Sequence, residues 1–280
     1  MNLMYCGDKN IADGLIISLL SIMKNTSAPL KVYVLTVSYE RDGKVCEPIS
    51  KEFISYLDGV LKEHNEDSAI KLFDVSEDFV KNLPEKNLET RFTPGCMVRL
   101  FADLVPELPD RILYLDNDIV CRGDFSELYY MDLDGKELVG VLDYYGAWLF
   151  KRKLLSRDYL NSGVLLLNLK EIKRTGLFKK CRERCRDKKM FMPDQSAINK
   201  LSQSKHYVSR KFNEQRKLKD DTVFQHFTTS FRFFPYFHSV SVKPWNVTQL
   251  HNTLNIYEYD SLLVEYRKVK AKYLAQEDKV

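Results

Sequence analysis

The chain has 280 residues, enough for one large α/β domain or two smaller ones. Hydrophobic residues make up 44% and charged residues 29%, a balance that excludes an intrinsically disordered chain. Basic residues outnumber acidic ones by 43 to 39, a net charge of +4, which is too even to point to nucleic acid.

The amino terminus, "MNLMYCGDKN", opens on a strand-like segment at Leu3–Cys6 and lacks the basic start of a secretory leader. A helix follows over 11–24; its apolar stretch "GLIISLLSIM" is too short to cross a bilayer. A second strand is expected at Val32–Val37, a helix near 47–64 and a third strand at 69–74. Thr93-Pro94 supplies an N-cap and a first-turn proline for a helix running to about Val105, just before Pro106. "RILYLD" at 111–116 and "YLNSGVLLLNL" at 159–169 read as compact buried strands. Alternation of strands and helices with continuous apolar runs predicts an α/β fold, a mainly parallel sheet flanked by helices. Beyond about residue 170 the chain becomes more helical and basic, then rich in aromatics at 224–245, with no internal repeat or low-complexity linker. One domain over 1–246 with a helical extension over 247–280 is therefore expected. In that extension apolar residues recur at 262, 266, 269 and 273 beside a basic face. It reads either as a helix packed on the domain or as a segment in peripheral contact with a membrane. The six cysteines show neither a disulfide framework nor zinc spacing, which suits a reducing cytoplasm.

The stretch "YLDNDIVCRGDF", residues 114–125, ends an apolar run with two aspartates two positions apart. In an extended strand such positions lie roughly 7 Å apart on one face, so Asp116 and Asp118 can face one divalent cation. The carboxyl end of a strand in an open α/β sheet is also where ligands bind. An ordinary solvated strand end fits the same letters. So does a haloacid-dehalogenase-type phosphatase with Asp116 as nucleophile. That chemistry needs a later acidic pair at a strand end, for which the chain offers no candidate. Elsewhere, "NSGVLLLNL" puts Asn161, Ser162 and Gly163 at the mouth of a buried strand. "MPDQSAIN" puts Asp194 and Gln195 in the first turn of a helix, where the aspartate also suits the helix dipole. "FQHF" presents His226 after a short apolar strand.

In their order these segments, with the opening "YCGDKN", the helix "GCMVRLFADLVP" and a final "KPW" at 243–245, resemble glycosyltransferase family 8 over about residues 1–246. The resemblance implies a GT-A type Rossmann-like fold and a retaining transferase that uses UDP-galactose or UDP-glucose. Bacterial lipopolysaccharide galactosyltransferases are the nearer resemblance, glycogenin a more distant one. It further implies that Asp116, Asp118 and His226 hold a metal, Mn²⁺ in preference to Mg²⁺ for a mixed carboxylate and imidazole set. Asp8 and Asn10 would meet the uridine, although turn chemistry also explains them. Asn117 would meet the ribose or sugar, Arg99 the diphosphate or sugar, and Lys243 the diphosphate. An exposed i,i+4 pair with Asp103 is the competing explanation of Arg99. Asn161, Ser162, Asp194 and Gln195 would surround the transferred sugar. Gln195, a poor nucleophile beside the anomeric carbon, points to same-face transfer through an ion-pair-like state rather than a covalent intermediate. The implied acceptor is a saccharide or lipid-linked saccharide of a cell-surface polysaccharide, with the enzyme cytoplasmic at the inner membrane face and no nucleic-acid partner. A sugar-nucleotide-binding protein that has lost turnover is the alternative. Two departures stand out: Thr229 replaces the family's glycine after the histidine, and an aromatic insert, "FTTSFRFFPYFHSVSV", separates His226 from Lys243.

Overall fold

The structure is a computed structural model, and it describes residues 1–41, 43–88, 94–144, 158–232 and 238–277. Seven strands form the central sheet: β1 (Asn2–Gly7), β2 (Lys31–Thr36), β3 (Ala69–Asp74), β4 (Arg111–Leu115), β5 (Leu138–Leu142), β6 (Leu160–Asn168) and β7 (Lys205–Tyr207). Their order across the sheet is β7-β5-β6-β4-β1-β2-β3. Strands β3, β2, β1 and β4 pair in parallel, as do β5 and β7. The exception is β6, which runs antiparallel to both β4 and β5. The mainly parallel sheet expected from the apolar runs is thus present, with one reversed strand inside it.

Apolar side chains alternate between the sheet's two faces, and each face has its own core. One is covered by helices α1 (Ala12–Met23) and α2 (Lys51–His64), with Leu3, Tyr5, Val32, Val34 and Leu113 pointing into it. The other is covered by the 3-10 helix Pro94–Leu104 together with α3 (Leu169–Thr175), α4 (Leu177–Asp187) and α5 (Pro193–Leu201). The expected helix after Pro94 winds as a 3-10 helix, and Thr93 lies outside the described residues. Residues 97–102 are buried without a break, so no solvent-facing stripe imposes the 3.6-residue repeat. Helix α2 starts at Lys51, later than expected, because the Ser50 hydroxyl accepts from the Phe53 amide as an N-cap, at 3.1 Å.

Helices α6 (Val247–Leu254) and α7 (Asp260–Glu277) close the chain. Of the stripe at 262, 266, 269 and 273, Leu262 and Tyr266 are buried in the core beneath α1 and α2, and Val269 and Tyr273 pack against it. The Tyr273 ring meets Phe53 edge-on at 5.1 Å, and Lys270 pairs with Asp13 at 2.6 Å. The apolar stripe is therefore spent on the protein's own core. Among the described residues no helix is long and apolar enough to cross a membrane. The aromatic insert contains a two-stranded hairpin, Ser230–Arg232 with His238–Val240; residues 233–237 lie outside the described set.

Candidate active site

Chain reversal at β6 builds the site. Because β6 runs against β4, its first residues lie beside the end of β4, and the Asp116 amide donates to the Gly163 carbonyl at 2.8 Å. The chain then turns through Asn117 into the short strand Ile119–Cys121, whose antiparallel partner Phe224–His226 places His226 opposite Ile119. The two aspartates and the histidine, far apart in sequence, thereby converge. Single ligand atoms of Asp116, Asp118 and His226 all lie within 4.8 Å of one another. His226 Nε2 sits 3.3 Å from Asp118 Oδ1 and 3.7 Å from Asp116 Oδ2.

Two glycines make this approach feasible. A Cβ on Gly163 would lie 2.3 Å from the His226 ring, and one on Gly14 would lie 2.2 Å from the Asn117 carbonyl oxygen. Neither position tolerates a side chain without displacing a neighbour in the site.

The cations are arranged around the acids. Arg99 is buried; its Nη2 donates to Asp116 Oδ1 at 2.9 Å, its Nε to the Cys96 carbonyl at 2.8 Å, and its Nη1 to the Ser162 carbonyl. The same Nε lies 3.2 Å from Asp194 Oδ2. Its guanidinium carbon sits 4.2 Å above the Tyr114 ring centroid. The pairing with Asp103 is corrected by this geometry: Asp103 instead takes a bidentate contact from Arg182, and the helix carrying Arg99 turns that side chain into the cleft. Lys243 Nζ contacts Asp118 Oδ2 directly. Burial raises the Asp118 carboxyl, but the Lys243 ammonium outweighs it and holds the group well below the ordinary carboxylate range.

The remaining polar side chains form a connected net. Gln195 Oε1 accepts from the Ser162 amide at 3.0 Å and from its hydroxyl at 3.2 Å, while Gln195 Nε2 donates to Asp143 Oδ2 at 2.9 Å. Asn161 Nδ2 donates to the same Asp143 oxygen at 2.9 Å. Asp194, expected to stabilise its helix dipole, is 4% exposed and pairs with Arg99. Asp8 caps the 3-10 turn Lys9–Ile11: its carboxylate accepts from the Asn10 amide at 3.0 Å and from its side chain at 3.1 Å. Turn chemistry thus accounts for both residues even as they line the cleft.

All twelve residues singled out from the sequence line one cleft of about 500 Å³: Asp8, Asn10, Arg99, Asp116, Asn117, Asp118, Asn161, Ser162, Asp194, Gln195, His226 and Lys243. That volume falls in the range of small-ligand sites. A larger groove of about 1180 Å³ between α2 and α7 contains none of these residues. Two residues of the polar net escaped the sequence reading. Asp143 ends the apolar run "LVGVLD" as Asp116 ends "RILYLD", so the same signature marked it. Asn213, in "FNEQ", carries no such mark; the Glu214 backbone brings it alongside strand Phe224–His226, accepting from the His226 amide at 3.0 Å.

The chain is similar to known proteins in sequence and in fold. A family model described as glycosyl transferase family 8 matches residues 2–249. The lipopolysaccharide 1,2-glucosyltransferase of Escherichia coli strain K12 is 29% identical over 278 residues, covering 92% of this chain and 76% of that protein. The lipopolysaccharide 1,3-galactosyltransferase of Salmonella typhimurium is 27% identical, covering 81% of this chain and 70% of its own. Among solved structures, galactosyltransferase LgtC in complex with donor and acceptor sugar analogues superposes with a TM-score of 0.70 at 20% identity, covering 96% of both chains. That last likeness is one of fold.

Proposed function

The chain belongs to glycosyl transferase family 8, and on that premise we propose a metal-dependent, retaining hexosyltransferase that moves galactose or glucose from a UDP-sugar to a saccharide acceptor. The observation that carries this reading is the convergence of Asp116, Asp118 and His226 in the same cleft as the Gln195 amide. A carboxylate and imidazole set favours Mn²⁺, with Mg²⁺ as the weaker fit. When bound, such an ion would neutralise charge developing on the departing diphosphate.

The chain's own residues supply the rest. Lys243 provides a cation beside Asp118, suited to a diphosphate oxygen. Arg99 orients the carboxylates of Asp116 and Asp194. Asp8, Asn10 and Asn117 are assigned to the nucleoside and sugar. Asn161, Ser162, Asp194 and Gln195 are assigned to the transferred hexose. In the reaction the bond from the anomeric carbon to the diphosphate breaks and an acceptor oxygen bonds on the same face. The leaving phosphate oxygen takes the acceptor's proton. Gln195, held between Ser162 and Asp143, stabilises positive charge on the sugar and makes no covalent bond to it. The named relatives act on lipopolysaccharide, which supports a lipid-linked, cell-surface acceptor and a working position at the inner face of the membrane.

Incubation with UDP-galactose and UDP-glucose, Mn²⁺ and a panel of saccharide acceptors tests this. The expected result is release of UDP and a product heavier by one hexose with the donor's anomeric configuration, both abolished by EDTA. UDP-sugar binding without turnover on any acceptor favours the binding protein. Inorganic phosphate released from phosphomonoesters favours the phosphatase.

A further inference from the structure

The polar net that holds Gln195 continues through Asn161 and Asn213 to His226, and each of its hydrogen bonds has a fixed direction, the chain converging from both ends on the Asp143 carboxylate. Backbone amides fix that direction, since they can only donate. The Gly163 amide donates to Asn161 Oδ1 at 2.9 Å, which leaves the Asn161 amino group facing Asp143. The Ser162 amide fixes Gln195 in the same way. With Asn161 Oδ1 an acceptor, the group that meets it from Asn213 must be the amino group, at 2.9 Å. The carbonyl oxygen of Asn213 therefore faces His226 Nδ1, at 3.1 Å, and that nitrogen must carry a proton. Its opposite nitrogen, Nε2, is the one that faces Asp116 and Asp118. Asn213 is 1% exposed, so no bulk water competes for the contact.

We propose that Asn213 is the positioning residue of His226: it holds the proton on Nδ1 and so keeps the Nε2 lone pair turned toward the two aspartates. The inference rests on the metal-site reading above and adds to it a residue outside the cleft lining. It has a physical competitor inside the site. Two carboxylates beside Nε2 favour a proton on that nitrogen, the tautomer that cannot ligate a metal. Asn213 opposes this with a buried acceptor, and its own orientation is enforced by Asn161 and, behind it, Asp143. The metal-side histidine and the sugar-side glutamine are thereby ends of one hydrogen-bonded chain, Gln195–Asp143–Asn161–Asn213–His226. Partners of this kind typically change metal affinity by about 10–100-fold when removed.

The test is ¹⁵N NMR of the imidazole nitrogens in metal-free, nucleotide-free protein at alkaline pH, with His226 assigned by its loss in His226→Gln. Wild type is expected to show a protonated Nδ1. Asn213→Leu is expected to move the proton to Nε2 and to weaken Mn²⁺ binding, measured with UDP present, by about 10–100-fold. A lone pair on Nδ1 of the wild type overturns the proposal even if Asn213→Leu does not fold. So does an Asn213→Leu protein whose tautomer and Mn²⁺ affinity are unchanged. Because the tautomer is read without substrate, absence of transferase turnover with a protonated Nδ1 would remove the proposed function and leave this inference standing.

Discussion

On the side of the cleft proposed for the metal, Asp116, Asp118 and His226 crowd their ligand atoms within 4.8 Å, and Lys243 supplies a positive charge at Asp118. On the side proposed for the sugar, Asp143, Asn161, Ser162 and Gln195 are joined by directed hydrogen bonds and are each about 5% exposed. The first region gathers two carboxylates with Lys243 and Arg99 set against them; the second ties two side-chain amides and a hydroxyl into one hydrogen-bonded set around the Asp143 carboxylate. A reaction that expels a diphosphate and leaves positive charge on a sugar uses both, the one for the leaving group and the other for the sugar.

The largest effect is expected at Asp118. Asp118→Ala is expected to lower transfer by about 10³-fold or more, since a charge-stabilising ion worth several kcal/mol is lost and each 1.36 kcal/mol is a factor of ten. Steady-state kinetics at saturating Mn²⁺ measures this, and excess Mn²⁺ is not expected to restore activity. On the other side, Gln195→Ala removes one fixed dipole. It is expected to lower kcat by about 10²-fold with a smaller change in the donor KM, the signature of a transition-state contact. A KM effect with kcat intact would move Gln195 from catalysis to binding.

Gly163 sits where the two regions meet. Gly163→Ala forces a Cβ to within 2.3 Å of the His226 ring. It is expected to destabilise the fold by about 1–3 kcal/mol through overpacking. Thermal unfolding and Mn²⁺ titration follow the two effects, and Mn²⁺ binding should weaken by about tenfold as the ring shifts.

Lys243→Met is the mildest change and isolates the charge pairing at Asp118. The Asp118 carboxyl is depressed in the folded protein, so its pairing stabilises the fold above the unfolded carboxylate pKa of about 3.9 and that stability is lost as acid protonates the group. Loss of Lys243 is expected to cost about 1–2 kcal/mol near neutral pH. That is less than for a wholly buried pair, because the lysine side chain is 35% exposed. The gap between wild type and variant should begin to narrow as pH falls below about 4 and go on narrowing until the depressed Asp118 group itself takes up a proton. Denaturant melts of the metal-free proteins across pH measure it; a gap that persists in acid would show that packing, not charge, is lost.

Much of this was legible in the residues. "YLDNDIV" marked the acid pair because an apolar strand that ends in alternating carboxylates is poor burial chemistry, and "NSG" marked the strand mouth that must approach it closely. The sheet's parallel majority followed from its continuous apolar runs. The reversal of β6 did not, since an apolar strand buried on both faces reads the same in either direction, yet that reversal is what puts Gly163 beside Asp116. The 3-10 winding of Pro94–Leu104 was hidden because total burial erases periodicity. Asn213 was hidden because a lone polar residue in a loop gains meaning only from the backbone bridge that sets it against His226.

The most direct test of the metal-centred reading is calorimetric titration of UDP into the wild-type protein and Asp118→Ala, each with Mn²⁺ and with EDTA. The expected result is UDP binding that depends on Mn²⁺ in the wild type and is weakened by about 10²-fold or more in both EDTA and Asp118→Ala, a loss of roughly 2.7 kcal/mol. Equal UDP affinity with and without the metal, unchanged by Asp118→Ala, would contradict it.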